Sequence, residues 1–361
     1  MIKYSAKELE HMEWWRGILA FIVVLAHVEQ IIWVPVVGRY GMIPDVVSCF
    51  ANASVVFFFV LSGMLISYSA MNLSADGSFN WRKYLINRIT RIYPSLIFVL
   101  LLAIVLSILY MALNHGSTHI NRIASDKYLA RGAYYTDAIS LVKAFFMVQP
   151  GITQINGPLW SLIIEWWLYI SALFVFLAMN SKRILRYIFY ALALIVLYPA
   201  YYGYGDKVFF YIAIWYLGFL YTMFFRSNKR SFMVLTLLGL VLLISLVVVN
   251  GVGAININSA DDRVYGLVQV VYSICFIHFA LRSSGGPFFR NMSKYSYTLY
   301  IVHFPIVLFV FAVLHPRIGN NPVVLFIETV VSISLVILLS RSAAKYTEDK
   351  YKFRGLFSKV S

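Results

Sequence analysis

The chain has 361 residues, 61% of them apolar and only 12% charged, with 30 Lys and Arg against 15 Asp and Glu for a net charge of +15. So apolar a composition excludes an ordinary soluble domain, and basic residues spread over many loops, with no compact basic domain to carry them, argue against a nucleic-acid binder. An integral membrane protein remains.

About ten apolar stretches approach the length needed to cross a bilayer as helices, in which every backbone polar group is satisfied within the segment. They run Trp14–Trp33, Val47–Met71, Ile92–Leu113, Leu159–Asn180, Ile184–Tyr202, Val208–Phe225, Phe232–Val249, Val264–Leu281, Tyr295–Leu314 and Val323–Ser340. An even number places both termini on one side. The larger share of Lys and Arg falls in the loops of that side, so both termini are expected to be cytoplasmic. The predicted fold is an all-α polytopic membrane protein forming a single domain over residues 1–361, with Arg341–Ser361 as a short basic tail on the inner leaflet. The first span is too long for a signal peptide and no cleavage site stands out after it. Cys49 and Cys275 both fall inside spans and read as small buried apolar residues rather than a disulfide.

The first span carries Arg16 and His27, eleven residues apart. Eleven helical steps come to about 20° past three turns, with a rise of about 16 Å, so both side chains occupy one face at different depths. Ionisable groups in a bilayer are costly unless they face protein or water, and a buried imidazole can move protons. In the second span, FFFVLSGMLIS places Ser62 and Gly63 within an aromatic run, where small residues allow close approach of a helix or a ligand. Ahead of the third span, WRKYLINRITRIYP sets Arg88 and Arg91 three apart beside Arg82 and Lys83, a pattern that suits phosphate as well as a positive-inside anchor.

The long connection from Asn114 to Pro158 is predicted to lie on the outer side. Its Tyr128, Tyr134, Tyr135 and His119 offer an aromatic surface for a sugar, while interfacial tyrosines are common for other reasons. Its apolar second half is too short to cross and is expected to be interfacial or re-entrant. In GPLWSLIIEWWLY, Ser161, Glu165 and Tyr169 follow at intervals of four and share a helix face. A carboxylate there is expected to pair with His27 or Arg16. In YSYTLYIVHFP, Ser296, Tyr300 and His303 likewise share a face, with Pro305 just beyond.

Together these segments resemble acyltransferase family 3, bacterial membrane enzymes that O-acylate polysaccharides, lipid-linked sugars and related acceptors. The resemblance covers nearly the whole chain. Its motifs appear as Arg16 and His27, Phe58 to Gly63, Arg88 to Pro94, Pro158 to Tyr169, and Ser296 to His303, where Ile301 replaces the usual leucine. Many members append an extracellular hydrolase-like domain, and no such segment is found in these 361 residues. The resemblance implies an O-acetyltransferase of the bacterial inner membrane that moves an acyl group from cytoplasmic acetyl-CoA to a hydroxyl of a glycan or lipid-linked sugar outside, without a metal.

In that reading His27, Arg16 and Glu165 are catalytic, with His27 either a general base or an acyl carrier. Arg88, Arg91, Arg16 and Ser62 bind the donor. Tyr169, Ser161, Trp160, Tyr300 and His303 line the acceptor side. Polysaccharide-biosynthesis proteins and membrane lipids are the expected partners. The rival reading is a transporter or flippase for a glycan or lipid-linked sugar, with the buried charges as a proton relay.

Overall fold

The computed structural model describes residues 4–38, 42–74, 78–113, 137–148, 155–226, 262–318 and 321–349, with 233–234, 236–237, 239, 241 and 244. Its described elements are helices, with no strand among them, as an apolar chain that must satisfy its own backbone in lipid requires. They are α1 (Ala6–Val28), α2 (Met42–Asn72), α3 (Trp81–Leu113), α4 (Ala138–Phe145), α5 (Leu159–Met179), α6 (Arg183–Ile195), α7 (Tyr198–Tyr204), α8 (Lys207–Leu220), α9 (Asp262–Arg282), α10 (Pro287–Met292), α11 (Ser296–Ile318) and α12 (Pro322–Thr347). Among the described residues, 8 helical stretches are long and apolar enough to cross a membrane, and they correspond to the first six and last two expected spans. The eighth expected span is α9, whose described apolar part, Gly266–Arg282, is shorter. The seventh, Phe232–Val249, lies mostly outside the described residues.

Several helices outrun the apolar stretches that predicted them, because hydropathy marks the lipid-matched portion and not the polar turns beyond it. α1 starts eight residues before Trp14, where Ser5 and Glu8 form a capping box: the Ser5 amide donates to Glu8 at 2.7 Å and the Glu8 amide to Ser5 Oγ at 3.2 Å. α1 then continues through a π turn at Glu29–Trp33 to Val37. α3 begins at Trp81, so Arg88 and Arg91 sit two and three turns inside a helix rather than in a loop. α12 runs through Arg341 and Lys345 to Thr347, so the tail begins later than expected. The fifth span is broken into α6 and α7 just before Pro199, which has no amide hydrogen to donate to the carbonyl of Ile195, the last residue of α6. The short apolar segment after the long loop is the eight-residue α4, capped by Asp137 through the Ser140 amide at 2.8 Å. The Ser140 hydroxyl and amide hold the Asp137 carboxyl below its ordinary value. The tyrosines and His119 of the outer loop lie outside the described residues.

The chain divides into two compact units. The first comprises Met1–Leu19, Asn52–Arg88 and Ile164–Ser293. Here α2 and α8 approach until their backbones touch: a methyl group on Gly63 would collide with the Trp215 carbonyl, and one on Gly218 with the Val60 carbonyl. Gly17 meets the Phe289 carbonyl in the same way. Close small-residue crossings of this kind bind helices where lipid offers no hydrophobic drive. Trp215 and Phe219 fill the core beside them, and the Phe57 and Phe276 rings stack at 3.8 Å. Polar ties close the start of α1: Tyr4 meets Thr222 at 2.7 Å, and Arg226 meets Glu8 at 2.8 Å while covering the Tyr4 ring. Burial works against the Arg226 charge, but Glu8 outweighs it and leaves the guanidinium held above its ordinary value.

The second unit comprises Ala20–Ala51, Ile89–Ile163 and Lys294–Ser361. Its centre is the hairpin of α11 and α12, which pack along their length. Trp33 donates to Thr329 at 2.9 Å, joining the end of α1 to α12. His315 and Glu328 face each other at 3.3 Å inside the hairpin with no exposed side-chain surface.

Both cysteines are free. Their expected burial is corrected: Cys49 is exposed and Cys275 half-buried, since their faces of α2 and α9 point away from these packed interiors.

Candidate active site

Each unit gathers residues of the sequence motifs into a polar cluster. In the second, the end of α1 and the middle of α11 bring two imidazoles together. His27 Nδ1 lies 2.9 Å from the Val23 carbonyl, one turn back on its own helix, and 3.2 Å from His303 Nε2. His303 Nδ1 lies 3.2 Å from the Leu299 carbonyl, again one turn back. A carbonyl only accepts, so His303 carries its proton on Nδ1 and turns the lone pair of Nε2 toward His27. His27 therefore carries its proton on Nδ1 as well, shared between the Val23 carbonyl and His303. Its Nε2 is left with a bare lone pair. His303 is fully buried, whereas His27 is half-buried, and the Phe304 ring meets His27 edge-on at 5.2 Å.

Beside this pair the Ser161 hydroxyl donates to the Pro158 carbonyl at 3.0 Å, which leaves it to accept from the Tyr300 hydroxyl at 2.7 Å. Trp160, next to Ser161 at the start of α5, is half-buried. Asn156 Nδ2 donates to the Ile301 carbonyl at 2.7 Å. In this unit Arg91 is tied to Glu348 at 3.3 Å, and the other oxygen of that carboxylate accepts from the Thr298 amide at 2.9 Å and hydroxyl at 2.8 Å.

The first unit's cluster centres on Glu165. Ser62 Oγ and Tyr169 OH both donate to Glu165 Oε1, at 2.6 and 2.5 Å, and the Trp215 indole donates to Ser62 at 3.1 Å. The spacing of Glu165 and Tyr169 on α5 foretold their meeting; Ser62 and Trp215 come from α2 and α8. The carboxylate's hydrogen bonds go to these hydroxyls. Arg88 lies between the Tyr84 and Tyr169 rings, 5.5 and 5.6 Å from their centroids. It donates to Ser69 at 3.2 Å, and its Nε is buried without a hydrogen-bond partner. Tyr84 itself donates to the Tyr169 carbonyl at 3.0 Å and is fully buried. The two arginines of RITR thus have different surroundings: Arg91 faces a carboxylate, and Arg88 does not.

Arg16 is half-buried on the stretch of α1 that belongs to the first unit, and α1 is helical throughout from Arg16 to His27, which keeps the two on one face. Sequence reasoning missed Asn156, Trp215, Ser69 and Glu348. Only Asn156 left a trace, since Pro305 removes the amide that would otherwise serve the Ile301 carbonyl. Among the described residues no three His, Cys, Asp or Glu gather as metal ligands.

Compared with known families, the chain matches the acyltransferase domain over residues 9–341. No curated protein and no solved structure matches it.

Proposed function

The chain belongs to the acyltransferase-domain family, and on that premise we propose that it transfers an acetyl group from cytoplasmic acetyl-CoA to a hydroxyl of a glycan or lipid-linked sugar across the bacterial inner membrane. The observation that carries this reading is the bare Nε2 of His27, whose Nδ1 proton is already committed to Val23 and His303. Nε2 takes the proton of the acceptor hydroxyl as its oxygen attacks the thioester carbonyl. The tetrahedral intermediate collapses with cleavage of the carbon–sulfur bond, and the thiolate recovers the proton from His27. The products are the ester and the free thiol, with no net proton change.

Arg88 supplies the donor contact. Its guanidinium lies over two tyrosine rings with donors to spare, which suits bidentate binding of a coenzyme A phosphate. Arg16, a rise of about 16 Å along α1 from His27, binds donor phosphate away from the reacting carbonyl. Glu165, bonded to Ser62 and Tyr169, fixes the Tyr169 side of Arg88's aromatic surroundings, and Tyr300, Ser161 and Trp160 line the acceptor side.

The test is mass spectrometry of envelope glycans and lipids from cells carrying the wild type, His27→Ala or no copy. The wild type adds an acetyl mass that His27→Ala does not, with equal protein in the membrane. Wild-type acetylation by His27→Ala overturns the reading.

A further inference from the structure

Pro305 lies within α11 and has no amide hydrogen, so the Ile301 carbonyl one turn earlier loses its helical donor. That carbonyl is in the core, where Ile301 has no exposed surface and an unmet acceptor is costly. Asn156 supplies the missing hydrogen at 2.7 Å from outside the helix. Asn156 is fully buried, and its own Oδ1 has no hydrogen-bond partner. The amide can face Ile301 only one way round, because the reverse would set oxygen against oxygen. The bonded carbonyl belongs to the turn between Tyr300 and His303, the two α11 side chains that meet Ser161 and His27.

We infer that Asn156 is a positioning residue for acyl transfer: by replacing the hydrogen bond that Pro305 removes, it holds the interrupted turn of α11 so that His303 stays against the His27 Nδ1 and orients its ring. The inference rests on His27 being the base, as proposed above. A helix with an unfilled carbonyl at this turn has a second way to satisfy it, by tightening or by admitting water, and either shifts His303 relative to His27. A displacement of about 1 Å at a reacting pair costs up to about a hundredfold in rate. Asn156 touches neither substrate in this account and acts through His303.

Pro305→Ala returns the amide that the carbonyl lost and so provides a rescue. Asn156→Ala, Asn156→Asp, Pro305→Ala, the double variant Asn156→Ala with Pro305→Ala, and His27→Ala are compared in inverted membrane vesicles supplied with [14C]acetyl-CoA. Label incorporated into endogenous acceptors is followed, with thermal melting of each purified protein. Asn156→Ala is expected to lower kcat about ten- to a hundredfold with little change in KM for acetyl-CoA. Asn156→Asp, which opposes two acceptors, is expected to do more.

In the Pro305→Ala background the same Asn156→Ala change is expected to cost at least tenfold less. Histidine 15N spectra of the purified protein should show matching His27 and His303 signals in the wild type and in the double variant, and displaced His303 signals in Asn156→Ala. Equal losses in both backgrounds, or an unaltered His303 spectrum in Asn156→Ala, overturn the inference. Continued transfer by His27→Ala overturns instead the reading on which it rests.

Discussion

Replacing Arg88 by Ala separates donor binding from chemistry. The side chain makes one hydrogen bond to Ser69 and lies over the Tyr84 and Tyr169 rings, with its Nε unmet and, among the described residues, no carboxylate in salt-bridge contact. Its loss therefore leaves no buried carboxylate behind, and the cost falls on the ligand. A charge-assisted hydrogen bond contributes about 1.5–3 kcal/mol, so removing the guanidinium should raise the KM for acetyl-CoA by about ten- to a hundredfold while kcat changes little. The assay is initial-rate acetyl transfer against acetyl-CoA concentration, repeated with the 3′-dephospho donor. If Arg88 meets the 3′-phosphate, wild type and variant converge on the dephospho donor. If it meets the diphosphate, the ratio between them persists. A variant with unchanged KM for both donors and a reduced kcat would refute the assignment of Arg88 to the donor.

Three further outcomes follow from neighbouring features. Arg91→Ala should act on stability instead: it strips one partner from Glu348, which is 5% exposed but keeps its two bonds from Thr298, at a cost of about 1–3 kcal/mol seen as a lower melting temperature with KM unchanged. Gly63→Ala must push two backbones apart because nothing flexible opposes it, so a loss of about 3 kcal/mol or more is expected in the same melting assay, and a wild-type melt would contradict the α2–α8 crossing. His315→Ala leaves the Glu328 carboxyl alone in a closed interior; a loss of about 3 kcal/mol or more is expected, with Glu328→Gln in the same background restoring part of it.

How much of the site could be read from the chain depends on how far apart its partners lie. Glu165 and Tyr169, four residues apart on α5, were predicted to share a face and do share a hydrogen bond, because helical periodicity is local. The Arg16–His27 alignment held for the same reason, since α1 stays helical between them. Ser161 has the same spacing from Glu165, yet its bond goes to Tyr300, which no periodicity on α5 could show. Arg88 and Arg91 look alike in RITR, and only their neighbours from other helices tell them apart.

Composition and hydropathy by themselves determined that this is a helical membrane protein, where most of its spans lie and which ionisable residues are too costly to be idle in lipid. Those conclusions follow from transfer free energy and from the helix repeat, which act residue by residue. Tertiary structure decided which ring nitrogen of His27 is bare, that His303 orients its ring, and that Asn156 supplies the hydrogen bond that Pro305 removes from α11. These depend on hydrogen bonds between segments far apart in the chain. Hydrogen bonds are short and directional, so they exist only once packing has brought donor and acceptor to within about 3 Å.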